Sequence, residues 1–211
     1  MACTSTSRIL VHSSLYDQFA TAFVAAASRL VVGEPLDPRT DIGPMVDAKQ
    51  RDRVEMFVST SLEEGATLLF TGTVPESLDP AGFWAAPRVF GEVRPGMLVA
   101  QEEVFGPVAS LMRYETEEEA IAIANGTDYG LTAAICTRDE RRAARMAPLL
   151  EVGMVFINQY TRRTFVGSPF GGVKGSGYGR EYSAETLYEF VRAKNVRFPS
   201  GHGEMPTWPP R

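Results

Sequence analysis

Along almost the whole chain, short apolar runs alternate with segments whose apolar residues recur at every third and fourth position. "RILVH" (Arg8 to His12) reads as a strand, and Leu15, Phe19, Phe23, Ala26 and Leu30 follow it at helical intervals. Val54, Phe57, Val58, Ser61 and Leu62 mark a second amphipathic helix that stops near Gly65, and "ATLLFTG" after it is a strand. "PVASLMRY" is strand-like. "TEEEAIAIAN" is a helix with Thr116 as its cap and acids in the first turn, where the helix dipole favours them. "LTAAICT" and "VGMVFIN" are continuous apolar runs separated by the helix "RDERRAARMAPLLE", and such runs belong to strands covered on both faces. A chain patterned in this order is expected to form an α/β fold with a mainly parallel sheet flanked by helices.

The breaks in the pattern are as informative. "VVGEPLDPRTDIGPMV" sets Gly33, Pro35, Pro38, Gly43 and Pro44 in an irregular loop, and residues 73–96 form a proline-bearing excursion that holds only the strand-like "FWAAPRVF". A Gly-rich loop, the short helix "SAETLYEF" and a last strand "AKNVRF" close the folded part. Residues 1–192 are therefore expected to be one domain, and 193–211 a strand that extends away from it with a flexible tail rich in Pro and Gly.

Composition narrows the chemistry. A length of 211 residues is enough for a full hydrophobic core. The net charge of −5 argues against nucleic acid, which needs a basic face. No apolar run approaches the roughly 20 residues that span a bilayer, so no membrane partner is expected. Cys3 and Cys136 are too few and too far apart for a disulfide scaffold, which makes a reducing cytoplasm the default location. His12 and His202 have no metal-spaced partners, and no metal is expected.

Three stretches carry candidate chemistry. Cys3 sits in "CTSTSR", among hydroxyls and a cation that favour a thiolate; a helix starting here would lower the thiol pKa further and offer N–H groups to an oxyanion. Alone, a cysteine is more often a small buried hydrophobe, and in apolar "TAAIC" that inert reading is the one expected for Cys136. In "QEEVFGP", Glu103 and Phe105 are two apart, and on an extended segment they share a face on which an acid meets a hydroxyl and a ring meets a planar group. Two solvated acids before a turn is the plainer alternative. "GSPFGGVKGSGYGRE" carries six glycines between Gly167 and Gly179. It matches neither the P-loop order nor G-x-G-x-x-G, so close packing against another segment is the expected role rather than a phosphate cradle.

Taken in order and at these separations, "ACTSTSRILVHSSLYDQF", "QEEVFGPV" and "SPFGGVKGSGYGRE" resemble the aldehyde dehydrogenase superfamily, supported by "GEPLDPRTDIGPMV", "NGTDYGLTAAICTRD" and "VGMVFIN". The resemblance implies that Cys3 is the thiol that adds to an aldehyde, its main-chain N–H serving part of the oxyanion site. It implies that Glu103 holds the ribose of NAD or NADP and that Phe105 packs beside the nicotinamide. Phe170 and Phe165 are implied to line the aldehyde pocket, with Asn158 near it and fixing its loop. Residues 1–192 are then the catalytic domain. "AKNVRF" is implied to join a neighbouring subunit in a homo-oligomer.

In the family a long segment normally precedes the thiol. It holds the dinucleotide-binding domain, a second oxyanion donor and the glutamate that activates water. The chain is expected to lack that part, to bind the dinucleotide poorly alone, and to be inactive unless a separate cofactor-domain chain completes it. A non-catalytic oligomerising module and a weak cofactor-free thioesterase are the alternatives. Tyr160, Arg162 and Arg163 are expected at the mouth of the pocket.

Overall fold

The computed structural model describes residues 3–159 and 165–198. The elements run β1 (Arg8–His12), α1 (Ser13–Ala27), α2 (Ala48–Glu63), β2 (Thr67–Thr71), β3 (Arg88–Gly91), α3 (Leu98–Gln101), β4 (Val108–Tyr114) and α4 (Glu117–Asn125). They continue with β5 (Tyr129–Gly130), β6 (Thr132–Ile135), α5 (Glu140–Met146), β7 (Met154–Ile157), β8 (Val173–Lys174) and α6 (Ala184–Glu189).

Four strands make the main sheet, in the order β1-β4-β3-β2. β4 is parallel to both β1 and β3, and β2 closes the far side antiparallel. The two faces are read directly from the alternation of strand residues. Val89 and Leu111 point to one side, where they pack with Val11, Tyr16 and Ala27 under α1. Phe90 and Met112, one residue on, point to the other, where they meet Val54, Phe57 and Val58 of α2. The two amphipathic helices thus cover opposite faces, which is why successive residues of β3 and β4 are buried on both sides. Side-chain caps start α2 and α4: Asp47 accepts from the Gln50 N–H at 2.7 Å and Thr116 from the Glu119 N–H at 3.2 Å.

The expected α/β architecture, a mainly parallel mixed sheet with flanking helices, is present, with differences of detail, among them that "AKNVRF", expected as a last strand, forms none. α3 was not legible, being a single turn of apolar residues. β6 and β7 pair in parallel with each other and form a sheet of their own. They are not covered on both faces as their composition suggested: Met154, Val155 and Phe156 are half-buried and Ile157 is exposed. Cys136, expected in an inert apolar setting, is exposed immediately beyond β6.

From Leu149 onward the apolar surface is largely open, and Leu187, Tyr188, Phe190 and Val191 on and after α6 are all exposed. Residues 193–198 pair with no strand among the described residues, and Val196 and Phe198 are exposed. Residues 199–211 and the residues Tyr160, Arg162 and Arg163 lie outside the described part.

One phenol ties the α1 face together. Tyr16 is buried; its hydroxyl donates to the Leu111 carbonyl at 3.3 Å and accepts from the Glu92 N–H at 2.8 Å, while the Arg113 guanidinium lies 3.8 Å above its ring. Burial, the largest cause, raises its pKa above the ordinary 10.0. A phenolate could not donate to Leu111, so the folded chain favours the neutral form. This contribution to stability is complete below about pH 10 and declines as pH rises past it. Melting temperature measured from pH 8 to 11 should fall more steeply in the parent than in Tyr16→Phe.

Candidate functional site

Parallel pairing decides where the motif segments meet. β1 and β4 run side by side in the same direction with Arg8 opposite Ser110, and the Ser110 N–H donates to the Ser7 carbonyl at 3.0 Å. The segment entering β1 carries Cys3, and the segment entering β4 carries Glu103 and Phe105. Both therefore lie at the amino edge of the sheet. Open α/β sheets of the doubly wound kind bind ligands at the carboxyl edge; here the Cys3 and Glu103–Phe105 segments enter at the opposite one.

Cys3 is exposed and lies in a turn ahead of β1, not at the start of a helix. The expected cation beside it is also engaged elsewhere. The Arg8 guanidinium donates to the Ile123 and Ala124 carbonyls, at 2.9 Å each, in the last turn of α4. Burial lowers the Arg8 pKa, and the negative end of the α4 dipole offsets the cost of holding the charge there.

The acid-and-ring loop is built by α2. Val104 is buried, while Glu103 and Phe105 on either side are exposed, the alternation of an extended segment. That alternation stops at Phe105, whose φ of 53° is left-handed. Gln50 holds this backbone, its Nε2 donating to the Val104 carbonyl at 2.9 Å and the Phe105 carbonyl at 3.0 Å. One turn further on, Arg53 donates to the Glu103 carbonyl at 3.0 Å. Glu102 accepts from the Tyr129 hydroxyl at 3.2 Å. Burial, with Glu102 next in importance, raises the Tyr129 pKa. The sequence reading missed Gln50 and Arg53 because their partners are about fifty residues away. The trace they leave is their helical spacing with the buried Val54 and Phe57.

The Gly-rich segment packs rather than cradles. A Cβ on Gly153 of the turn before β7 would overlap the Gly171 carbonyl oxygen, so the two main chains touch. Phe170 is half-buried, bridges to Glu181 through both its N–H and its carbonyl, and meets the Tyr182 ring edge-on at 6.0 Å. Phe165 is exposed. Asn158 follows β7 at a φ of 51°, and its Oδ1 accepts from the Thr137 N–H at 2.8 Å, which fixes the turn after β6. It stands at the carboxyl end of the β6–β7 pair. Among the described residues, no group of three or more His, Cys, Asp and Glu could hold a metal ion, and no helix is long and apolar enough to cross a membrane.

The structure is thus a parallel α/β core with the Cys3 turn ahead of β1 and the Glu103–Phe105 loop ahead of β4. Comparison with known proteins gives the family. The family model described as "Aldehyde dehydrogenase family" matches residues 1–196, and the chain belongs to that family. It is 44% identical over 210 residues to an aldehyde dehydrogenase of Didymella fabae, which covers 99% of this chain and 42% of that one. It is 39% identical over 204 residues to betaine aldehyde dehydrogenase 1 of Rhizobium meliloti, covering 97% and 42%. Among solved structures, an aldehyde dehydrogenase of Mycobacterium tuberculosis complexed with NAD+ superposes with a TM-score of 0.88 at 42% identity, covering 96% of this chain and 41% of that one. The chain thus spans about two fifths of the length of these relatives.

Gly106 tests how tightly the loop is seated. A Cβ there would overlap Cγ2 of Val54, which is fully buried. Gly106→Ala should cost about 1–3 kcal/mol by overpacking, read as a lower urea midpoint at unchanged slope.

Proposed function

We propose that this chain is the thiol-bearing portion of an aldehyde dehydrogenase, converting an aldehyde to its carboxylic acid. The observation that supports the reading is that the Cys3 segment and the Glu103–Phe105 loop lead into neighbouring parallel strands, joined at Ser7 and Ser110.

In this reading the Cys3 sulfur, as thiolate, adds to the aldehyde carbon, and the new oxyanion of the thiohemiacetal is met by the Cys3 main-chain N–H. NAD or NADP, when bound, accepts the hydride that leaves this carbon. Cys3 then holds the acyl group as a thioester until water cleaves it and frees the thiol. Glu103 and Phe105 fit one end of that cofactor. Both are exposed on one loop, the carboxylate suited to a ribose hydroxyl and the ring to a planar face. Phe170, Phe165 and Asn158 belong to the aldehyde side, where Asn158 holds the turn after β6 through the Thr137 N–H.

Two side-chain contacts hold little of a dinucleotide. A hydrogen bond and a ring contact are together worth roughly 4 kcal/mol or less, which corresponds to binding at about millimolar or weaker. The rest of the dinucleotide is therefore proposed to be held by residues beyond these 211. A calorimetric titration should give a Kd for NAD of about 1 mM or above; a micromolar value would overturn this part of the reading. In an assay of aldehyde oxidation with the remaining cofactor-binding residues supplied, Cys3→Ser should abolish turnover, about a thousandfold or more. Residual activity near that of the parent would remove Cys3 from the chemistry.

The exposed apolar residues of α6 and the segment after it favour a second role alongside the first. Val196 and Phe198 sit on a stretch that pairs with no strand among the described residues, as an oligomerising strand in search of a neighbour's edge would. Sedimentation at increasing concentration should show self-association that deletion of residues 193–211 removes. A cofactor-free thioesterase remains the third reading, and equal activated-ester hydrolysis by parent and Cys3→Ser would dismiss it. In all three readings the unpaired thiols suit a reducing, cytoplasmic setting.

A further inference from the structure

Six successive carbonyls, from Ile123 to Asp128, all accept hydrogen bonds from outside α4. Ile123 and Ala124 receive the Arg8 guanidinium, both at 2.9 Å. Asn125 and Thr127 receive the Lys174 ammonium, at 2.8 and 3.3 Å. Gly126 receives Nε2 of Gln101 at 2.9 Å, and Asp128 receives the Gly175 N–H at 2.7 Å. A helix end normally closes on its own chain, most often through a left-handed glycine. Gly126 follows α4 but has a φ of −76°, so the left-handed closure is not used; the Gly126 N–H returns to the Ile123 carbonyl at 3.3 Å and the Thr127 N–H to the Asn125 carbonyl at 2.9 Å, which leaves these carbonyls shared with the donors from outside.

The donors come from three places. Arg8 is five residues after Cys3, Gln101 is two before Glu103, and Lys174 is four after Phe170. Each of the three motif segments therefore sends one long side chain to the same short stretch of backbone. Arg8 reaches it across 115 residues of sequence, Gln101 across 25 and Lys174 across 49. Capping alone would be served by nearby residues. Asn125 adds a fourth link, its Nδ2 donating to the Leu149 carbonyl at 2.8 Å and its Oδ1 accepting from the Glu151 N–H at 2.9 Å.

We propose that residues 123–128 are a shared frame that sets the thiol segment, the acid–ring loop and the Gly-rich segment relative to one another, with Arg8, Gln101 and Lys174 as positioning residues. The catalytic meaning of the frame rests on the aldehyde dehydrogenase reading above; its mechanical meaning does not. Two of the three donors are cations at the negative end of α4, where the dipole strengthens the contact. Because all three close on adjacent carbonyls, freeing one lets the others shift.

Amide hydrogen exchange on the 211-residue chain, read by mass spectrometry, tests the coupling. Lys174→Met should speed exchange by about tenfold not only in peptides covering 171–177 but also in those covering 3–9 and 102–108, and Lys174→Arg should restore the slow rates. Gln101→Met, which removes no charge, is read in the same way should Lys174→Met prevent cooperative folding. Acceleration confined to the substituted segment in both variants would overturn the frame and leave three separate contacts. Aldehyde turnover supplies the other arm. Spread exchange in a completed enzyme with no turnover removes the dehydrogenase reading and keeps the frame. Turnover with confined exchange removes the frame alone.

Discussion

The parallel register of β1 on β4 is the constraint on which the site depends. With Arg8 opposite Ser110, the segments that carry Cys3 and Glu103 lead into neighbouring strands from the same edge, although about a hundred residues of sequence separate them. A slip of one residue would turn Leu111 from the α1 side to the α2 side and exchange the two cores. The hydrophobic pattern therefore protects the placement of groups that are themselves exposed and contribute little to stability. α1 and α2, on opposite faces, hold that register from both sides.

α2 does more than cover the sheet. Its inward residues Val54 and Phe57 pack into the core, while Gln50 and Arg53 at the same end reach the backbone of the Glu103 loop. One helix thus joins burial, which is strong and unspecific, to hydrogen bonds, which are weak and geometric. The left-handed backbone at Phe105 is tolerable because two neighbouring carbonyls are held by a single amide.

Much of the main sheet and its helices was legible in the sequence, since each is long enough for a period to show. Thr116 with its following acids and the apolar β4 could be read as they stand. Cys3, Glu103 and Phe105 were legible as a pattern of residue types, and family membership gives that pattern its context. What could not be read was set by contacts distant in sequence. Arg8 looked like a cation near a thiol and is instead joined to α4. Cys136 looked buried because its neighbours are apolar, yet among the described residues β6 and β7 pair only with each other, and Cys136 just beyond β6 is exposed. Local pattern reports what a residue prefers, and the partner decides what it gets.

The touch between Gly153 and Gly171 has a consequence for how this protein can vary. Two main chains in contact leave no side chain between them whose volume a second substitution could trim. Sequence drift on either side of that seam is then limited to changes that keep both backbones where they are, and a revertant of a damaged Gly153 would have to arise by shifting a loop rather than by refilling a cavity.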